Sequence, residues 1–230
     1  MTMGMDIFLL ILMLVLPLLA QLNVTTTFNK YAKVRNSRGL TGAQAARMIL
    51  DANGLYSTKV CRVSGKLTDH YDPTRQVVSL SDAVYGETSV AALGVAAHEC
   101  GHAVQHAQDY QPMIWRSKVF PVASIGSKAW YWIFLLGCIL ARFSEFGGTL
   151  MLLSVILFGA VTLFQIVTLP VEFDASKRAM NILEVEGFLE GNDEIKGARK
   201  VLQAAAMTYV ASLISSLIQF LRLLAATRRR

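Results

Sequence analysis

From Thr149 to Leu169 the chain carries no charged side chain. A helix needs roughly 20 mainly apolar residues to cross the hydrocarbon core of a bilayer. Inside lipid, backbone polar groups must be satisfied within the segment, so a helix is the form to expect. Three other runs share this character. Ile7–Val24 is broken only by Pro17, Gln21 and Asn23. Pro121–Ala141 holds Trp130, Tyr131 and Trp132. Val201–Ala226 carries Gln203, Gln219 and Arg222, and reads either as a further span or as an amphipathic helix packed on a domain. No Lys or Arg precedes Ile7, whereas a secretory leader opens on positive charge, so the first run is expected to be a retained anchor.

Composition agrees. Hydrophobic residues make up 53% and charged residues 17%, against about a quarter charged in ordinary soluble domains. Mean hydropathy is +0.43. The net charge of +6 lies on no basic stripe with interleaved aromatics, so nucleic acid is not an expected partner. Basic residues flanking apolar spans on an anionic membrane face account for the charge better. The three cysteines, Cys61, Cys100 and Cys138, are widely spaced and odd in number, and suggest neither a disulfide framework nor a thiolate metal site.

The expected layout is an anchor over residues 1–24, a polar domain over 25–118, two spans over 119–169, a polar segment over 170–200 and a C-terminal membrane or membrane-packed helix over 201–230. Within the polar domain, Thr41 is a plausible N-cap and Gly54 a stop for a helix with Ala46, Ile49 and Leu50 on its apolar face. Lys59–Val63 and Gln76–Leu80 read as strands, separated by a turn-rich loop from Leu67 to Pro73. Thr88 or Ser89 can cap a helix over Val90–Gln105. The expected fold class is mainly α and membrane-bound: an α+β domain with a short β-hairpin, plus three to four transmembrane helices. Four spans put the two polar segments on one side. Lys30, Lys33, Arg35, Arg38, Arg116 and Lys118 near the span ends place that side in the cytoplasm, although Arg228, Arg229 and Arg230 pull the other way.

The chemistry lies in His98-Glu99-Cys100-Gly101-His102. Residues four apart share one face of an α-helix, so both imidazoles can reach one ion. Glu99 then stands beside the metal, where it can take a proton from water, as in HExxH peptidases. With four histidines in the chain, a chance HExxH is roughly a few in a thousand. Cys100 reads as a packing residue. A catalytic zinc needs a third protein ligand and an open position. His106, His70 and a carboxylate are candidates, with Glu172 the best carboxylate; spacing alone leaves the choice open. Pro170 is expected to end the third span, so that Glu172 falls in the first turn of a new helix, where a glutamate could equally compensate the helix dipole.

Three stretches carry a resemblance to the YugP-type membrane zinc metallopeptidases: Gly65–Pro73, Ala91–Gln105 and Leu169–Ser176. Leu40–Leu55 and Leu202–Ala211 are similar too, so the resemblance covers nearly the whole chain. It is more distant to the HtpX-type heat-shock peptidases, in which a glutamate is the third ligand. The resemblance implies a zincin-like fold for the polar domain over 25–118, and a Zn2+ endopeptidase with His98, His102 and Glu172 as ligands and Glu99 as base. It implies a peptide or protein substrate, a multi-pass place in the cell membrane and, by analogy, membrane-protein quality control. The HtpX pattern sets an aspartate four residues after the glutamate; here that position is Ser176, and the acid is Asp174. The group that orients each ligand histidine is therefore left open. So is the oxyanion donor, for which His70, Tyr71, Tyr85 and Arg178 are candidates. Gln76–Leu80 could pair with an extended substrate. Two rival readings are a site-2-type intramembrane protease, whose later Leu-Asp-Gly is missing here, and a membrane scaffold that keeps the site without turnover.

Overall fold

The computed structural model describes residues 3–228. Helix takes up 75% of the chain and strand 7%, which makes it a mainly α protein with one small sheet. In order, the elements are α1 (Met3–Tyr31), α2 (Gly42–Ala52), β1 (Lys59–Val63), β2 (His70–Asp72), β3 (Val77–Ser81), α3 (Asp82–Tyr85), α4 (Val90–Ala107), α5 (Gln111–Leu140), α6 (Phe146–Val185) and α7 (Asn192–Arg228). Among the described residues, α1, α5, α6 and α7 are long and apolar enough to cross a membrane. The chain divides into two compact units.

One unit takes residues 3–19, Gln111–Leu169 and residues 209–228. It is all helix, and large apolar side chains such as Leu14, Trp132, Ile156 and Leu221 face outward, as a lipid-facing surface requires. Its inner contacts use Val155, Phe158 and Leu223, with Trp130 edge-on to Phe158. At Gly126 a Cβ would stand 2.5 Å from the Leu157 carbonyl oxygen, so a small residue is what lets α5 approach α6.

The other unit takes Ala20–Tyr110 and Pro170–Thr208. Its core gathers Phe28, Ile49, Leu50, Leu80, Leu93, Leu183 and Leu202. α2 starts as its sequence dictates. The Thr41 hydroxyl accepts from the Gln44 backbone N–H, and the Gln44 side chain accepts from the Thr41 N–H. Such a reciprocal cap is worth about 1 kcal/mol. Gly54 follows with φ +73°, the left-handed geometry that glycine adopts without strain. Ser89, rather than Thr88, caps α4 by accepting from the Ala92 N–H.

The structure corrects two expectations. The loop from Leu67 to Pro73 contains the strand β2, and the order is β1-β3-β2. β2 and β3 form the hairpin, whereas β1 runs parallel to β3. β3 thus has a neighbour on each side, and the Gln76–Leu80 stretch has no free edge for a peptide. The edges belong to β1 and β2. The second correction concerns Pro170. It does not separate a span from a new helix; α6 runs through it unbroken. Proline removes one backbone donor, a loss that membrane helices tolerate where neighbouring groups satisfy the freed carbonyl. Glu172 consequently lies within a long helix and not in a first turn.

Candidate metal centre

α4 brings His98 and His102 to one face, with their rings 4.7 Å apart between centroids and edge-on. α6 supplies Glu172. Its Oε2 lies 3.3 Å from His98 Nε2 and 3.5 Å from His102 Nε2. Three donor atoms, one from each residue, all fall within 4.8 Å of one another. Glu172 is 1% exposed.

The close approach of the two helices has a cause in the motif itself. A Cβ at Gly101 would stand 2.8 Å from the carbonyl oxygen of Ala175. Only glycine lets the backbone of α6 lie against α4 here, and that contact is one turn from both His98 and Glu172. On the opposite side, the buried Cys100 thiol donates to the Ala46 carbonyl of α2 at 3.6 Å. Burial pushes that thiol well above the ordinary cysteine range, as befits a packing residue.

The far nitrogen of each histidine is also held. His98 Nδ1 meets Ser176 Oγ at 3.2 Å. His102 Nδ1 meets Gln105 Oε1 at 3.0 Å. The fully buried Gln105 then donates from Nε2 to the Val171 carbonyl and to Asp174 Oδ2, both at 2.8 Å. Asp174 accepts from Arg178 Nε at 2.5 Å, and Arg178 Nη1 donates to Gln108 Oε1 at 2.6 Å. With both amide donors committed to oxygens, Gln105 must present its oxygen to His102. That leaves the proton on Nδ1 and a lone pair on Nε2, the state a metal ligand needs.

The residues fit zinc by distance as well as by type. Bonds of about 2.0–2.1 Å at tetrahedral angles put neighbouring ligand atoms about 3.3–3.4 Å apart. The Nε2-to-Oε2 separations of 3.3 and 3.5 Å match that spacing.

Glu99 is 8% exposed. Burial raises its carboxyl above the usual range; the two histidines pull it down, and Glu172 and Asp69 add to the rise. Asp69 itself accepts from the backbone N–H and the hydroxyl of Ser81, at 2.7 and 2.9 Å. Burial raises its carboxyl too, against those hydrogen bonds.

The other candidates lie elsewhere. His106 faces the Tyr71 hydroxyl at 2.9 Å and is outside the cluster. His70 is exposed at the start of β2, with Nδ1 2.9 Å from the Thr68 carbonyl. Arg178 is engaged by Asp174 and Gln108 and lies over the Tyr110 ring at 5.7 Å. Gln105 was missed by sequence reasoning, although its place three residues after His102 sets it on the same helix face. Replacing Gln105 by Leu is expected to weaken zinc binding by about 10- to 100-fold with the fold intact, measured by competition with a chromogenic chelator. An unchanged affinity would remove Gln105 from any part in holding His102.

Known proteins place the chain. Residues 6–228 match the family described as "Putative neutral zinc metallopeptidase". The chain is 50% identical over 216 residues to "Putative membrane protease YugP" of Bacillus subtilis (strain 168), covering 94% of this chain and 93% of that protein. No solved structure matches. With two histidines of an HExxH helix facing a buried glutamate of α6 and a match along nearly its whole length, the chain belongs to this neutral zinc metallopeptidase family.

Proposed function

We propose that the protein is a zinc-dependent membrane endopeptidase, with His98, His102 and Glu172 as the metal ligands and Glu99 as general base. The observation that carries this reading is the convergence of two Nε2 atoms and one buried carboxylate oxygen at zinc-ligand spacing, next to a buried glutamate. Bound there, zinc would supply Lewis acidity, polarising a scissile carbonyl and lowering the pKa of water toward about 7. Glu99 takes the proton from the attacking water and passes it to the leaving amine. Ser176 and Gln105 keep the imidazoles turned toward the ion. Asp174 and Arg178 support His102 through Gln105, while His70, on the edge strand β2, is the candidate donor to substrate.

The substrate is a peptide or protein, and the spans set the enzyme in a lipid bilayer. The basic residues near the span ends support a cytoplasmic active site. Membrane-protein quality control follows by analogy with the HtpX-type enzymes. The site-2-type reading loses ground because α4, which carries the HExxH, is not among the four helices apolar enough to span.

The test is purified protein in detergent, assayed for metal content and for casein cleavage. About one zinc per chain is expected, with cleavage abolished by a chelator and restored by added zinc. A metal-free preparation that still cleaves, or one that takes up no zinc, would overturn the reading.

A further inference from the structure

α1 and α7 both pass from apolar to polar sequence at the same place in their unit. The apolar run of α1 ends at Val24, and Lys30 follows within two turns. The apolar run of α7 begins at Val201, directly after Lys200. Between these two transitions lies a cleft of about 300 Å³, distinct from the metal centre. Lys30, Lys200, Asn23, Thr27, Tyr31 and Gln203 line its polar part, and Ala204 and Met207 its apolar part.

No acidic side chain lines this cleft. Among the described residues, neither lysine has a carboxylate partner; the Lys30 ammonium lies 5.5 Å from the centroid of the Tyr31 ring. Among the described residues, the carboxylates of this unit that pair with a lysine or arginine side chain are held by arginines, Asp51 by Arg47, Asp72 by Arg75, Asp82 by Arg62, Asp174 by Arg178 and Glu184 by Arg199, and none of them lines the cleft. Two uncompensated ammoniums in one cleft, flanked by neutral donors, favour a phosphate-type anion. Met207, which lines it, is exposed and apolar, which suits an acyl chain and not water. Basic pockets between membrane helices on the cytoplasmic side are a recurring way to hold lipid head groups.

We propose that this cleft binds the phosphate of an anionic phospholipid, with Lys30 and Lys200 as its charged contacts and Asn23, Thr27 and Gln203 as neutral ones. The assignment does not depend on the peptidase reading.

The experiment is a native mass-spectrometry titration of the full chain in detergent with phosphatidylglycerol, and separately with phosphatidylcholine. Saturable binding of phosphatidylglycerol is expected, with phosphatidylcholine markedly weaker. At about one favourable contact per lysine, the double variant Lys30→Gln/Lys200→Gln should bind about thirtyfold more weakly. Lys196→Gln, which removes a charge from α7 outside the cleft, should shift binding less than about twofold. Thermal melting and zinc content, unchanged in both variants, establish that they fold. Equal loss in Lys196→Gln would mean a diffuse basic face and overturn the site. Equal affinity for the two lipids, or displacement of phosphatidylglycerol by millimolar inorganic phosphate, would overturn the lipid assignment; the latter would leave a free-phosphate site.

Discussion

Replacing Glu99 by Gln is expected to give a protein that folds, holds its zinc and cleaves casein about 10²- to 10⁴-fold more slowly, or not measurably. The amide has nearly the volume of the carboxyl, so a residue only 8% exposed can be exchanged without opening a cavity. It keeps an oxygen and gains donors, but it cannot accept a proton at neutral pH. The two histidines and Glu172 are untouched, so metal content should stay at about one zinc per chain. Zinc retained with activity lost would separate proton transfer from metal binding. A variant that cleaves at the wild-type rate would remove Glu99 from the chemistry. Wild type and variant that both hold zinc and both fail to cleave any substrate would favour the scaffold reading.

Replacing Glu172 by Ala should instead take the metal away. One of the three proposed ligands is lost, and with it the only carboxylate in the cluster. The loss of affinity should exceed the roughly 100-fold that removing a supporting group can bring. The variant should also lose the rise in melting temperature that added zinc gives the wild type, because a ligand stabilises only the state that binds it. Comparison of the two proteins in chelator controls for folding. Should Glu172→Ala keep both zinc and activity, the third ligand would have to be sought again, with His106 or His70 next in line.

The shared face of His98 and His102 was legible because its logic is local. Four-residue spacing on a helix fixes which side chains meet, and the capped starts of α2 and α4 follow from Thr41 and Ser89 in the same way. What sequence could not supply was contact between distant segments. Ser176, which looked like a missing aspartate, is the partner of His98. Asp174, two residues from Glu172, looked misplaced for a ligand histidine. It reaches His102 through the Gln105 amide, a route visible only once α4 and α6 are packed. β2 escaped notice because three residues carry too little pattern to declare a strand. Pro170 was read by its usual habit of ending helices, which α6 overrides.

The third donor of the cluster lies 74 residues beyond the first. A ribosome therefore finishes the HExxH helix long before it makes Glu172, with α5 and most of the apolar part of α6 in between. Until then the nascent chain has two histidines and no carboxylate to close the set. The cluster can close only after the third hydrophobic run has been synthesised.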